Sequence, residues 1–139
     1  MVGDLVLLKR KVVVKSIVTE GLKEELLKKL EELIKLSEKR LSDISSEEKK
    51  FLLRAPTLEP SYIQFVKNKI KEEKAQEESI KAQLLNERER VKNLKEGEFY
   101  IHGIVEGFVE IKEGDDYWKK LEEGEIILKD GKVIEIKNE

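Results

Sequence analysis

The chain contains no cysteine, which excludes a disulfide framework and thiolate chemistry. Histidine occurs once, at His102, inside a strand-like run with no spaced acidic ligands beside it. A metal centre or a catalytic triad is therefore not expected, and His102 reads as a partly solvated strand residue. No apolar run approaches the ~18 residues of a membrane span. The apolar start, Met1 to Leu8, precedes the basic Lys9-Arg10-Lys11, the reverse of the order in a signal peptide. The expectation is a cytoplasmic protein that does not enter a membrane. Glycines 97, 103, 107 and 114 do not lead into a helix with a cationic phosphate ligand, so a phosphate loop is excluded as well.

What the chain has in excess is charge. Charged residues make up 42% of its 139 positions, against ~25% in an ordinary soluble domain. Lys and Arg number 28 and Asp and Glu 30, so the signs nearly cancel. With 39% apolar residues there is little material for one spherical core. Long helices with a narrow apolar seam and solvated flanks suit such a composition, as does adaptation to heat. The charge is uneven along the chain. Residues 1–18 carry a net +3 and residues 98–139 a net −6. The simpler explanation is that a basic first strand lies beside acidic C-terminal strands. A nucleic-acid interface would need one continuous basic face, and Lys9-Arg10-Lys11 is too short to supply it. Nucleic acid is not expected as a partner.

Leu5 to Val18 is rich in β-branched residues and predicts strand, either bent at Lys9-Arg10-Lys11 or split into Leu5–Leu8 and Val12–Val18. Thr19 is a candidate helix N-cap, followed by Glu20, Glu24 and Glu25.

Two long helices are predicted, Thr19 to Leu53 and Ser61 to Lys95. In the first, Leu27, Leu30, Ile34, Ser37, Leu41, Ile44, Glu48 and Phe51 recur at alternating steps of three and four. In the second, Ile63, Val66, Ile70, Glu73, Glu77, Ile80, Leu84, Glu87, Val91 and Leu94 do the same. This is a heptad pattern and predicts a coiled coil. Glu24/Lys28, Glu25/Lys29 and Glu31/Lys35 are spaced for ion pairs along the first helix. Each helix reaches about 50 Å at ~1.5 Å per residue. Equal lengths return the chain to its starting level, so the pair is expected to be an antiparallel hairpin. Pro56 and Pro60 mark its turn. A turn centred near Leu58 sets Ser37 opposite Glu77 or Glu78. The seam is thin at Ser37, Glu73 and Glu77. A solvated slip explains this, in which case Ser37→Leu would raise the melting temperature; a flexible joint or a polar register-setting pair is the alternative.

Phe51, Leu52, Leu53, Leu58, Tyr62 and Phe65, with Val66, crowd the bend. A hairpin tip has little interior, so these side chains either plug the end by packing on each other or form a contact site. They are the candidate protein-binding residues.

Gly97 is expected to close the second helix. Glu98 to Lys112 then alternates as a strand. Phe99, Ile101, Gly103, Val105, Gly107, Val109 and Ile111 are expected on one face, with Tyr100, His102, Ile104, Glu106, Phe108, Glu110 and Lys112 on the other. Gly103 and Gly107 allow the bending a small barrel would need. Asp115 and Asp116 could be drawn as an acid pair or a cation site, but an N-cap for a short turn through Tyr117, Trp118 and Leu121 explains them with less. Tyr117 and Trp118 are expected in the core, with an exposed contact as the minority alternative. Glu125–Lys129 and Lys132–Lys137 flank Asp130-Gly131, a strong hairpin signal. No nucleophile, base and oxyanion donors come together, so neither catalysis nor a cofactor is expected.

The chain ends carry a resemblance. The opening Lys11-Val12-Val13-Val14-Lys15-Ser16-Ile17-Val18-Thr19 is one part of it. The others are Val109-Glu110-Ile111-Lys112-Glu113-Gly114-Asp115-Asp116 and Ile127-Leu128-Lys129-Asp130-Gly131-Lys132-Val133-Ile134-Glu135-Ile136. Around a long helical middle, these resemble the YlqD family of small bacterial proteins, over nearly the whole chain. The Pro-marked aromatic tip and the low glutamine content depart from that pattern. The resemblance implies an architecture and no catalytic or binding residue, since the family is uncharacterised.

The expected fold is α+β. A long antiparallel helical hairpin, residues 19–97 with its tip near 54–60, is inserted in a small strand-rich base, a sheet or barrel, made from residues 1–18 and 98–139. The expected function is non-enzymatic: an oligomeric interaction protein that contacts an unidentified protein partner through the tip or the base. The alternatives are a chaperone-like holdase and an RNA- or ribosome-associated factor.

Overall fold

A computed structural model describes residues 4–137. The element order is β1 (Leu5–Ile17), α1 (Glu20–Arg54), a 3-10 turn (Ala55–Thr57), α2 (Pro60–Lys92), β2 (Phe99–Lys112), α3 (Tyr117–Lys120), β3 (Gly124–Lys129) and β4 (Lys132–Lys137). The fold is α+β, as expected. The chain forms two compact units, Met1–Lys23 with Leu94–Glu139, and Glu24–Asn93.

In the first unit the four strands form one sheet in the order β2-β1-β3-β4. β1 is antiparallel to β2 and parallel to β3, and β3 and β4 form an antiparallel hairpin. The two outer strands leave open edges, so this is a sheet and not a barrel. The basic strand does lie between acidic neighbours. Lys15 Nζ is 3.1 Å from Glu125 Oε1 on β3, and Lys9 Nζ is 3.8 Å from Glu106 Oε2 on β2. β1 is one unbroken strand, without the expected bend or split at Lys9-Arg10-Lys11. Alternation explains this. Lys9 and Lys11 point to one face, and Arg10 to the other, where its guanidinium donates to the carbonyls of Lys120 and Glu122 at 3.3 and 3.4 Å.

β2 does not alternate straight through. Val14 pairs with Gly103 and Lys15 with Ile101, which leaves His102 as the extra residue of a bulge. The bulge turns Phe99 and Ile101 onto the face of Ile104 and Phe108. Tyr100 joins the face of Val105 and Val109. Gly103 follows the bulge with φ 153°, a conformation that an L side chain rarely adopts. His102 is exposed, and its Nε2 lies 2.5 Å from Ser16 Oγ.

Residues paired across the ladders share a face, so the sheet's two surfaces follow from its register. One face carries Lys9, Lys11, Lys15, Glu106, Glu110, Glu125, Glu135 and Lys137 among apolar residues. The other carries Val6, Leu8, Val12, Val14, Val105, Val109, Ile126, Leu128, Val133 and Ile136. Among the described strand residues, Arg10 is the only Lys, Arg, Asp or Glu on that second face.

Local signals in this unit behave as expected. Thr19 Oγ1 caps α1 by accepting from Leu22 N at 3.1 Å, and itself donates to Asp130 Oδ1 at 2.6 Å. Asp130 and Gly131 take positive φ, 49° and 82°, as an Asp-Gly hairpin turn requires. Asp116 caps α3 by accepting from Lys119 N at 3.2 Å, and Asp115 accepts from Lys112 N at 2.8 Å. Both carboxylates are thus engaged by backbone. Tyr117 and Trp118 are not core residues. Their rings stack edge to face at 5.0 Å, and Trp118 is 77% exposed.

The second unit holds the antiparallel helix pair. On α1 none of the eight expected seam residues is exposed, and Leu30, Ile34 and Ser37 are fully buried. On α2 the seam runs through Ile63, Val66, Ile70, Glu77 and Leu84 as expected, with Lys74 and Lys81 one residue on from the expected Glu73 and Ile80. Glu73 and Ile80 are exposed. These two shifts follow charge. Lys74, Lys81 and Arg88 lay their aliphatic stems against α1 and reach Glu48, Glu38 and Glu31 at 3.0, 3.6 and 2.8 Å. Glu31 pairs across the helices rather than with Lys35. Ser37 is no solvated slip: it is 1% exposed, and its Oγ lies 3.5 Å from the Glu77 carbonyl. α2 ends earlier than expected, at Lys92 with Asn93 as C-cap. Gly97 follows as a separate turn and donates from N to the Val18 carbonyl at 3.1 Å.

Candidate functional site

The turn between the helices is built by its two prolines. Pro56 enters the 3-10 turn, whose C-cap Leu58 is extended, and Pro60 opens α2 after the extended Glu59. Thr57 Oγ1 donates to the Arg54 carbonyl at 2.7 Å, which satisfies one carbonyl at the end of α1.

The six candidate residues divide into two groups. Phe51 and Leu58 are half-buried and plug the end of the helix pair. Phe51 meets the Tyr62 ring edge to face at 6.3 Å. Leu52, Leu53, Tyr62 and Phe65 are exposed, Leu53 to 84% and Phe65 to 61%. Phe65 makes one cation–π contact, to Lys69 Nζ at 5.7 Å, within its own helix. The tip is therefore plugged at its centre and apolar on its outside.

Two grooves flank the plug. One, about 700 Å³, is lined by Phe51, Leu53, Val66 and Ile70 and by Glu47, Lys50, Arg54 and Glu73. The other, about 450 Å³, shares Phe51 and Ile70 and is also lined by Glu48, Leu52, Lys67, Lys71 and Lys74. The apolar pattern does not disclose the charge around this surface. Between residues 49 and 71 there are six basic side chains, Lys49, Lys50, Arg54, Lys67, Lys69 and Lys71, and one acidic, Glu59. Within that window the excess is five positive charges, and it is bounded on both sides by Glu47, Glu48, Glu72 and Glu73, so the basic excess is confined to the last turns at the tip. A charge count over that window would have found it.

Chemistry is sparse elsewhere. Glu125 accepts from Lys15 and is faced by Lys137 at 3.7 Å. The Lys15 hydrogen bond, opposed by desolvation and helped by the charges of both lysines, lowers its pKa from the ordinary 4.5. Among the described residues, no group of three or more His, Cys, Asp or Glu could hold a metal ion. No helix among them is long and apolar enough to cross a membrane.

Fold and site together define a class: small α+β proteins in which a helix pair interrupts a sheet built from both chain ends. The chain belongs to the YlqD family, whose model, described as YlqD protein, matches residues 6–137. Among solved structures, the chain is similar to a protein of unknown function from Synechococcus sp. WH 8102. The TM-score is 0.84 at 22% identity, covering 97% of this chain and 96% of that one. At that identity the likeness speaks to the fold. No curated protein sequence matches the chain.

Proposed function

We propose that this chain is a non-enzymatic interaction protein that assembles with itself and binds an acidic, partly apolar segment of another protein at the tip of its helix pair. The observation that carries the reading is the exposure of Leu53 and Phe65 in a stretch, residues 49–71, that carries six basic side chains and one acidic. Exposed apolar clusters rimmed by charge mark protein contacts. Apolar contact supplies affinity, and the lysines steer an acidic partner and set its orientation. An RNA partner fits less well. Lys9 is paired with Glu106 and Arg10 is buried against two carbonyls, so Lys9-Arg10-Lys11 offers no continuous basic surface.

The test is site-specific photo-crosslinking in the producing cell, with the reactive group at position 53 or 65 and, as control, at exposed Lys39 on α1. The expected result is the same protein adduct from 53 and 65, absent from 39, and lost in a Lys67→Glu/Lys71→Glu variant. Adducts no different from those at 39, or unaffected by charge reversal, would overturn the reading.

A further inference from the structure

The first unit is about 70 residues long, a size at which a lone core is marginal. Among its described residues, the buried apolar side chains are Val18 and Ile127. The sheet face that carries Val105 and Ile136 lacks the charged residues of its opposite, yet Val6, Val105, Val133 and Ile136 on it are exposed. Antiparallel ladders ordinarily pack one face and solvate the other. Here the charge has been sorted onto one face, which also exposes Ile101, Ile104 and Phe108, and the face left without charge is covered at Arg10 and Ser16 but open at Val6, Val105, Val133 and Ile136.

We infer that this apolar face packs against the same face of a second copy of the chain, sheet on sheet, about a two-fold axis. The inference rests on the reading of the chain as a self-assembling interaction protein, and it names the surface. Three properties of the face favour a second copy over a foreign partner. First, it is neutral apart from Arg10, whose guanidinium is already held by the Lys120 and Glu122 carbonyls, so two copies meet without like-charge repulsion. Second, beside Arg10 its polar side chains are Ser16, already engaged by His102, and Tyr100, too few to select a different protein by charge or hydrogen bonding. Third, its size fits. β1 and β2 run ~40 Å, and the four strands span ~15 Å at ~4.8 Å spacing. The flat footprint is roughly 600 Å² before side-chain relief, close to the ~800 Å² per partner of a standard interface. A two-fold contact uses the same patch twice, as a self-complementary apolar face requires.

Two neighbouring residues provide a matched test. Val105 lies on the apolar face and Ile104 on the charged one, and both are exposed, so lysine at either site is compatible with the folded monomer. In sedimentation velocity at micromolar concentration, the wild-type chain is expected at twice its 16.2 kDa mass. Val105→Lys is expected at the single-chain mass, and Ile104→Lys at the wild-type mass. A monomeric wild type, or loss of the dimer in Ile104→Lys, or its persistence in Val105→Lys, overturns the inference. Because the chain has no cysteine, Val105→Cys and Ile104→Cys give single-thiol reporters that do not depend on tolerance of lysine. Maleimide labelling at 105 is expected to slow as protein concentration rises, and labelling at 104 to be unaffected. Equal behaviour at the two sites contradicts the inference. Tip crosslinking is read separately on the Val105→Lys chain, so a failed dimer and a failed tip contact are told apart.

Discussion

Ser37 and Glu77 meet as side chain to backbone: the serine Oγ of α1 lies 3.5 Å from the carbonyl oxygen of Glu77 on α2, with Ser37 1% exposed. A side chain as short as serine reaches the neighbouring helix's backbone only where the axes come close, since the contact side chains set helix separation. Ser37→Leu therefore adds volume to a filled site. It is expected to lower unfolding free energy by about 1–3 kcal/mol, measured in urea. Ser37→Ala, which removes only a long hydrogen bond, is expected to cost about 1 kcal/mol or less. The sequence pattern alone points the other way, to a gain from leucine, because spacing reveals a polar residue on a seam but not how close the partner backbone lies.

Thr19 links the helix start to the β3–β4 turn, since one hydroxyl accepts from Leu22 N and donates to Asp130. Thr19→Ala is expected to cost about 1–2 kcal/mol, as lost N-caps do. Asp130→Asn keeps a side chain that tolerates positive φ. In a double-mutant cycle the two substitutions are expected to be coupled by ~0.5 kcal/mol or more, because they act through one shared hydrogen bond. Simple additivity would show the Thr19–Asp130 contact to be idle.

Glu125 supplies a pH signature. Its folded pKa lies below the ordinary 4.5, chiefly through the Lys15 hydrogen bond. A depressed carboxylate stabilises the fold above its unfolded pKa, and that contribution is lost as pH falls through the folded value. The difference in urea midpoint between wild type and Glu125→Gln is thus expected to be constant above about pH 5 and to shrink below about pH 4.5. A difference that grows as pH falls would reverse the sign and rule out the pairing as its cause.

Arg10 fastens the segment before β3. Its Nη1 alone donates to both main-chain carbonyls, and a lysine ammonium, one bond shorter on its stem and more strongly hydrated, fits that buried position less well. Arg10→Lys is expected to cost about 1–3 kcal/mol, the penalty for under-satisfied buried polar groups. It is also expected to raise amide hydrogen exchange at Lys120 and Leu121 before the strand amides of β1 respond. Uniform acceleration across the sheet would mean that Arg10 holds the sheet as a whole.

The sequence disclosed what is local. Three-four spacing placed the α1 seam from Leu27 to Phe51, two prolines placed the turn, and Asp-Gly placed the β3–β4 hairpin. Matched helix lengths even set Ser37 against Glu77. What it hid depends on partners distant in the chain. The bulge at His102 exists only against Val14 and Lys15 of β1, so strict alternation along β2 misassigned Phe99 and Ile101. The one-residue shifts on α2 depend on glutamates of α1 that draw Lys74 and Lys81 inward. Trp118 looked like core because large aromatics usually are, yet an open sheet gives it nothing to enter. At the tip the apolar residues were legible, but which of them plug the end and which remain outside required the Phe51–Tyr62 packing.

The central proposal is that Leu53 and Phe65 are on the surface for binding and are surplus to folding. The most direct test is the urea unfolding free energy of the Leu53→Ser/Phe65→Ser double variant beside that of Phe51→Ala. The double variant is expected within about 0.5 kcal/mol of wild type, as for surface substitutions, and Phe51→Ala to lose about 2 kcal/mol or more from a packed site. A loss in the double variant as large as that of Phe51→Ala would make those side chains part of the core and contradict their assignment to a partner.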